Sequence, residues 1–168
     1  MALLDIVTYP DERLRKKAEP VAEVDDDIRK LIDDMAETMY DAPGIGLAAN
    51  QVGVLKRVVV VDVEYSDGKP KLFAFVNPEI ISRQGKQVCE EGCLSLPEIR
   101  EEVERSQSVV VRALGRDGQP FELAAEDLLA TVVQHELDHL DGMLLIDHLS
   151  FLKRRMLSRE LTKRKRTG

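Results

Sequence analysis

Two histidines and a glutamate lie close together near the carboxyl end of the sequence, in residues 135–139 (HELDH). Residues four apart on an α-helix lie on the same side of it, so His135 and His139 could bind one metal ion. Glu136 would then reach a water molecule bound to that ion. An isolated pair of histidines at this spacing is more often part of a core, but the intervening glutamate favours a hydrolytic metal centre.

A catalytic metal site of this type needs a third protein ligand and an open position for water. One class of zinc protease has a third histidine at the end of the motif HExxHxxGxxH, but that position is Leu145 here. Another class takes a glutamate from a later helix, and the only later glutamate is Glu160, within a basic tail. Upstream, Cys93 offers a thiolate, a strong ligand for zinc or ferrous iron. The sequence therefore predicts one divalent ion bound by Cys93, His135 and His139.

Three segments together resemble a known enzyme family. Residues 44–51 (GIGLAANQ), 91–95 (EGCLS) and 134–139 (QHELDH) match, in order, the signatures GφGφAAxQ, EGCφS and QHEφDH of peptide deformylases, where φ is apolar. The opening segments 9–15 (YPDERLR) and 18–21 (AEPV) are also similar to the family, so the resemblance covers essentially the whole chain. It implies a bacterial enzyme that removes the formyl group from the N-terminal formylmethionine of new polypeptides and releases formate.

The resemblance also implies a role for each residue of the reaction centre. A metal-bound water is the nucleophile, and Glu136 is the general base and then the acid that protonates the leaving amine. The side-chain amide of Gln51 and the backbone N–H of Leu94 stabilise the tetrahedral oxyanion. Cysteine with two histidines suits both Zn²⁺ and Fe²⁺, and the family resemblance favours Fe²⁺ as the native ion.

Substrate contacts are expected along the helix that carries the histidines. Leu128 and Val132 lie two turns and one turn before His135, so they can line an apolar pocket for an unbranched methionine side chain, with Thr131 at its rim. Simple core packing is the alternative for each. The family resemblance adds residues whose backbone pairs with an extended substrate. These residues are Ile45, Gly46 and Gly92.

Two other functions remain open from the residues. A zinc metallopeptidase would share the histidine motif. Alternatively, Cys89 and Cys93 with the two histidines would form a closed, structural Cys2His2 site without catalysis. In an extended strand, however, these cysteines would be about 13 Å apart, too far for one ion. We therefore expect Cys89 to be a buried, neutral side chain that lines the pocket.

Charged residues near the motifs have simpler expected roles. Arg100 and Arg105 are expected to pair with acidic residues near Glu91. Asp138 is expected to be structural or to support a ligand, and His148 to be structural or exposed.

The pattern of apolar residues predicts an α+β fold. A first helix is expected over residues 25–40, started by an acidic run, and the metal-binding helix over 125–140. A final helix is expected after Ser150, with the pairs Leu152/Met156 and Leu157/Leu161 buried. Between the first two helices lie segments rich in β-branched residues, which predict antiparallel sheets packed around the central HExxH helix. These segments are 57–63, 72–76, 103–113 and 121–123.

Length and composition place the chain among ordinary globular domains. Its 168 residues are 43% apolar, which is enough for one catalytic domain over residues 1–168. The net charge of −7 argues against DNA binding, although residues 149–168 contain eight basic residues and one acidic residue. This basic helix is expected to be a solvated helix end or, from the resemblance, a docking element for the ribosome.

The sequence also indicates the cellular location of the protein. Two cysteines and the absence of a secretory signal or an apolar run of membrane-spanning length predict a cytoplasmic protein that does not enter membranes, and the family resemblance implies that the cytoplasm is bacterial. Nascent N-formylmethionyl peptides are the expected partners, and the protein is expected to be a monomer.

Overall fold

The computed structural model describes residues 2–167, with side chains described for residues 2–164. Within this part of the chain there are three α-helices and seven β-strands. The helices are α1 (Asp26–Asp41), α2 (Asp127–Leu140) and α3 (Phe151–Thr167). The strands are β1 (Gly46–Ala48), β2 (Val58–Val61), β3 (Phe73–Gln84), β4 (Gln87–Cys93), β5 (Leu96–Arg105), β6 (Ser108–Leu114) and β7 (Pro120–Glu126). The strands pair antiparallel, so the predicted α+β class is confirmed.

Both predicted N-terminal and central helices are present. Helix α1 begins after Asp25, whose carboxylate accepts a hydrogen bond from the backbone N–H of Ile28 at 3.0 Å. This is the acidic helix start that the sequence predicted. Helix α2 begins at Asp127, two residues later than predicted, and ends at Leu140.

The strands form two separate sheets. One has five strands in the order β1-β2-β3-β6-β7, and the other is the hairpin β4–β5. Strands β1 and β4 were not predicted, and β3 extends to Gln84, well beyond the predicted segment 72–76. The prediction of one strand over residues 103–113 is wrong, because β5 ends at Arg105 in the hairpin and β6 begins at Ser108 in the larger sheet.

Hydrogen bonds to α2 explain this break between β5 and β6. The side chain of Gln134 accepts from the backbone N–H of Ser106 at 3.1 Å and donates to the carbonyl of Ser106 at 2.9 Å. The carbonyl of Gln107 accepts from the backbone N–H of Asp127 at 3.0 Å. Backbone groups that a strand partner would bind are therefore bound by α2, and the chain crosses from one sheet to the other.

Strand β2 of the five-stranded sheet is buried on both faces. Val59 and Val61 of β2 pack in a cluster with apolar residues of α2, whereas Val58 and Val60 pack with residues of α1. This alternation places α1 and α2 on opposite faces of the sheet, as expected for a strand without a polar residue. Helix α2 thus lies between the large sheet and the hairpin that carries Cys93.

Helix α3 is only partly packed. Ser150 accepts a hydrogen bond from the backbone N–H of Lys153 at 3.3 Å, so the predicted cap is present. Leu157 and Leu161 are buried against β5, as predicted. The prediction that Leu152 and Met156 are buried is wrong, since they are 78% and 59% exposed. The helix contacts the body along one side, and this pair lies outside that contact.

No helix within residues 2–167 has the length and apolar character needed to cross a bilayer.

Candidate metal centre

The end of β4 and one side of α2 bring three potential ligands together. Cys93 is the last residue of β4, and His135 and His139 lie one helical turn apart on α2. Among the described residues, their ligand atoms form a cluster within 4.8 Å of one another. The Nε2 atoms of the two histidines are 3.3 Å apart, and Sγ of Cys93 is 3.3 Å from Nε2 of His139. The cysteine, which is 42 and 46 positions from the two histidines in sequence, therefore meets them at one point.

These distances fit a single metal ion. Two nitrogens bound at 2.0–2.1 Å to one tetrahedral ion would be about 3.4 Å apart, close to the separation of the two imidazole nitrogens. A thiolate and two imidazoles are also the donor types that zinc and ferrous iron prefer. Three protein donors leave a fourth tetrahedral position for water or substrate. The residues present therefore fit a catalytic rather than a closed structural ion.

A buried ionic network holds the first histidine. Oε1 of Glu91 lies 2.9 Å from Nδ1 of His135, which directs the opposite nitrogen toward the ligand cluster. Arg105 donates to both oxygens of Glu91, at 2.6 and 2.9 Å, and to Asp138 at 2.9 Å. His148 contacts Asp138 at 2.7 Å. The expected pairing of Arg105 near Glu91 and the supporting position of Asp138 are both present.

The network shifts the pKa of its carboxyl groups. Burial alone would raise the pKa of Glu91, but the hydrogen bonds and charges of His135 and Arg105 hold it below its ordinary value. Burial likewise opposes ionisation of Asp138, and contacts from His148 and Arg105 lower its pKa overall. Both carboxylates therefore remain charged, and the guanidinium between them offsets part of that charge.

Sequence reasoning did not assign this role to Glu91, although a signal was present. Glu91 lies two residues before Cys93, and alternate residues of a strand point to the same side. A ligand at position 93 that faces α2 therefore requires position 91 to face α2 as well. The other predicted arginine pair is exposed to solvent: Arg100 donates to Glu90 at 2.7 Å.

Glu136 is a buried carboxyl beside the ligand cluster. It is 5% exposed, and its Oε1 has no hydrogen-bond partner among the described residues. Burial raises its pKa to about 7, against the opposing charges of His135 and Arg105. A Cβ at Gly46 would lie 2.6 Å from Oε2 of Glu136 and 2.7 Å from Cγ1 of the β-branched Val132, so any larger residue here would displace the wall of the site. A carboxyl with a pKa near neutrality is suited to proton transfer.

The two histidines differ in their affinity for protons. Burial would lower the pKa of His135, but the charge of Glu136 and contacts with Cys93 and Glu91 raise it well above its ordinary value. Burial lowers the pKa of His139 well below its ordinary value. A bound cation and a proton therefore compete for His135, so ion binding would release a proton.

Gln51 lies next to the cysteine. Its Nε2 atom is 3.6 Å from Sγ of Cys93 and 3.2 Å from Oγ of Ser95, and its Oε1 accepts from the backbone N–H of Ala48 at 2.9 Å. The amide is thereby fixed in orientation, with its donor end toward the ligand cluster. Leu94 lies in the turn between β4 and β5, directly after the cysteine.

A cavity of about 480 Å³ opens beside the ligand cluster. Every residue that the sequence assigned to substrate binding lines it, although their exposure differs: Leu128 is 49% exposed, whereas Val132 is buried. Gln51, Leu94 and Glu136 line the same cavity. The predicted substrate residues on its wall are Ile45, Gly46, Gly92, Leu128 and Val132.

Cys89 does not behave as predicted. It is half-buried rather than buried, and it is not among the residues that line this cavity. It is also absent from the ligand cluster found among the described residues, which contains Cys93 alone of the two cysteines. Cys89 lies four residues earlier on β4, and an extended strand separates the two by about 13 Å.

A larger cavity, of about 770 Å³, lies on the opposite side of α2. Arg105, Asp138 and His148 contribute to its wall, but the three ligand atoms do not. Its size alone therefore does not indicate the reaction centre, which is placed by the donor cluster and by Glu136.

Comparisons with known proteins agree with the motifs. A family model described as polypeptide deformylase matches residues 3–155. A peptide deformylase of Alkalilimnicola ehrlichii is 56% identical over 168 residues, which cover 100% of this chain and 94% of that protein. A crystal structure of a peptide deformylase from Legionella pneumophila has a TM-score of 0.91 and 50% identity, covering 99% of this chain and 97% of that one. The Ehrlichia chaffeensis peptide deformylase, solved in complex with actinonin, has a TM-score of 0.93 and 41% identity, covering 99% of each chain.

Proposed function

This chain belongs to the polypeptide deformylase family, and on that basis we propose that it hydrolyses the N-formyl group of formylmethionine at the start of newly synthesised polypeptides, releasing formate. Residues 1–168 would act as one catalytic domain. The observation that carries the proposal is the meeting of Cys93, His135 and His139 at one point, with Cys93, His135 and Glu136 in the wall of the cavity.

We propose that these three side chains bind one divalent ion per chain, with Fe²⁺ as the native ion and Zn²⁺ as a substitute. When bound, such an ion lowers the pKa of a water ligand toward about 7 and polarises a carbonyl oxygen. Metal analysis of protein purified without oxygen, with activity followed after exposure to air, tests the choice of ion. Stoichiometric iron and oxygen-sensitive activity are expected; stoichiometric zinc with air-stable activity would contradict it.

Glu136 is proposed to move the protons of the reaction. Its buried carboxyl, with a pKa of about 7, accepts a proton from the attacking water and delivers it to the amine as the C–N bond breaks. The unpartnered Oε1 supports this role, because a buried carboxyl oxygen without a partner is available to a water or substrate.

Gln51 and Leu94 are proposed to stabilise the oxyanion that forms at the formyl carbon. The Gln51 amide is held by Ala48 and lies near Cys93, so its N–H group is placed beforehand rather than ordered during the reaction. Each donor of this kind typically contributes about 3 kcal/mol to lowering the barrier. The backbone N–H of Leu94 would supply the second donor.

The substrate is proposed to enter along the cavity in an extended form. The backbones of Ile45, Gly46 and Gly92 would pair with the peptide, and Leu128 and Val132 would contact the first side chain. The 480 Å³ volume suits a few residues at the amino terminus of a chain and excludes a folded partner.

The decisive experiment measures formate released from formylmethionyl, acetylmethionyl and unmodified peptides. Formate release from the formylated peptide alone is expected; internal cleavage without formate would instead indicate a peptidase. The variant Glu136→Gln should lose activity by at least about 10³-fold while retaining its metal. Turnover that persists in this variant would remove Glu136 from the mechanism.

Helix α3 is proposed to dock on the ribosome, where formylated chains emerge. Its exposed surface combines basic residues such as Arg155 and Arg159 with the exposed apolar side chains of Phe151, Leu152 and Met156. The charge reversals Arg155→Glu and Arg159→Glu should abolish co-sedimentation with ribosomes but preserve formate release from short peptides. Arg112→Glu, on β6, is the matched control; equal sedimentation of all variants would contradict docking through α3.

We further propose that the protein acts as a monomer in the bacterial cytoplasm. Sedimentation at several protein concentrations would test the first point.

A further inference from the structure

Thr131 is a polar residue in an otherwise apolar part of the cavity wall. It is 2% exposed, lies one helical turn before His135 on α2, and lines the cavity together with Ile45, Leu128 and Val132. A hydroxyl group at such a position requires an explanation, because an apolar side chain of the same shape would cost nothing in desolvation.

The hydroxyl of Thr131 differs from that of other helical threonines in the described chain. Thr38 donates to the carbonyl of Asp34 at 2.7 Å, and Thr162 donates to the carbonyl of Ser158 at 2.8 Å, each four residues earlier. The partner of Thr131 is instead the thiol of Cys89, 3.8 Å away across to β4.

The local structure explains why Thr131 does not bond back along its helix. The corresponding carbonyl, of Asp127, already accepts a hydrogen bond from the side chain of Gln87 at 2.8 Å. Thr131 therefore directs its hydroxyl away from the helix backbone. The hydroxyl has a single proton to donate and a thiol is a weak acceptor, so this bond can be exchanged for one to a ligand in the cavity at little cost.

We propose that the hydroxyl of Thr131 donates a hydrogen bond to the thioether sulfur of the first substrate residue, which makes Thr131 a specificity-determining residue. The inference rests on the proposed deformylase function. One helical turn, about 5.4 Å, separates Thr131 from His135, a distance comparable to the length of a methionine side chain. A bond to sulfur is weak in water but is favoured here, because the buried hydroxyl has only a thiol as an alternative partner.

The test compares formylmethionyl and formylnorleucyl peptides, since norleucine replaces the sulfur with a methylene group of similar shape. We expect the native protein to favour methionine by about two- to fivefold in kcat/KM, because the bond to the substrate sulfur replaces the weak bond to the Cys89 thiol and does not add to it. In Thr131→Val, which keeps the branched shape but removes the hydroxyl, this ratio should fall to about one. In Thr131→Ser, which keeps the hydroxyl, the preference for methionine should persist.

The preference should appear in KM rather than kcat, because the side-chain contact is the same in the ground state and the transition state. The same ratio should be found for the dissociation constants of the two peptides from Glu136→Gln protein. A ratio near one in the native protein, or a ratio that survives in Thr131→Val, would overturn the inference. Loss of preference in both Thr131 variants would also overturn it, since the methyl group rather than the hydroxyl would then be responsible.

This experiment separates the inference from the function on which it rests. Absence of formate with both peptides would refute the deformylase proposal. Formate released from both peptides with a ratio that is independent of Thr131 would refute the specificity role alone.

Discussion

The two sheets of this protein are attached to α2 by different forces. The five-stranded sheet packs against it through apolar side chains such as Val59, Val61 and Phe75, which are fully buried. The hairpin β4–β5 is joined to it by the ionic contacts of Arg105 and Glu91 and by the potential metal ligand Cys93. Apolar packing is non-directional, whereas charge-assisted hydrogen bonds fix distance and angle. The large sheet therefore supplies stability, and the hairpin supplies the geometry of the metal centre.

The largest loss of stability should come from weakening the apolar packing of the five-stranded sheet. Phe75→Ala removes a fully buried ring that stacks near Phe73 and Phe121, and should lower the free energy of unfolding by about 4 kcal/mol. Denaturant titration measures this loss. Metal affinity of the protein that remains folded should change by less than about twofold; a large loss of affinity would show that the two sheets are not independent in their roles.

Weakening the ionic contacts between the hairpin β4–β5 and α2 should lower both stability and metal affinity. Arg105→Met leaves Glu91 and Asp138 without their shared cation, which should cost about 3 kcal/mol of stability and reduce metal affinity by about 10- to 100-fold. The control is Arg112→Met on β6, whose partner Glu122 is exposed, and which should cost less than about 1 kcal/mol. Equal effects of the two variants would remove the distinction between buried and exposed ion pairs.

Burial of the Glu136 carboxylate should lower the free energy of unfolding at neutral and alkaline pH. Its pKa is raised to about 7 by burial, so the folded protein binds more protons than the unfolded chain and loses stability as pH rises from about 4.5 to 7. Glu136→Gln should therefore stabilise protein stripped of metal by chelation, by about 2 kcal/mol at pH 8. The gain should vanish near pH 4.5. Thermal unfolding at both pH values measures it, and a pH-independent effect would contradict the assigned cause.

The smallest change in stability should come from acid acting on the two carboxylates that Arg105 binds, Glu91 and Asp138. The pKa values of Glu91 and Asp138 are lowered, so their contribution to stability is present above the unfolded pKa and is lost as pH falls through the folded pKa. The difference in unfolding free energy between native protein and Arg105→Met should therefore shrink below about pH 4. A constant difference down to pH 2 would show that Arg105 contributes through packing instead.

The sequence predicted features that depend on local order or on a motif. Helix α1 follows from the acidic start and the apolar spacing, and both are confirmed. The motifs singled out Cys93 rather than Cys89 as the partner of the two histidines, and the structure brings Cys93 into the ligand cluster. Their assigned roles in metal binding remain predictions that the proposed experiments test.

Features that depend on tertiary register were not predicted. Strand β4 was missed because its sequence, QVCEEGC, alternates too few apolar residues to signal a buried face. The sequence predicted only that Arg105 pairs with acidic residues near Glu91; that it binds both oxygens of Glu91 itself depends on the register between β4 and β5, which no local pattern encodes. The exposure of Leu152 and Met156 was missed because apolar spacing indicates that a helix has an apolar side, not whether the body covers it.

The crossing between β5 and β6 sets how much length variation this fold accepts. Residues 105–107 bind α2 at Asp127, Gln134 and Asp138, at the beginning, middle and end of the helix. An insertion of one residue here would slide one sheet along α2 relative to the other and separate Cys93 from the histidines. The turn at residues 66–70 is exposed and far from α2 in the chain, so it should accept added residues freely. Homologues that differ in length should therefore carry their extra residues in such turns and keep this short connection constant.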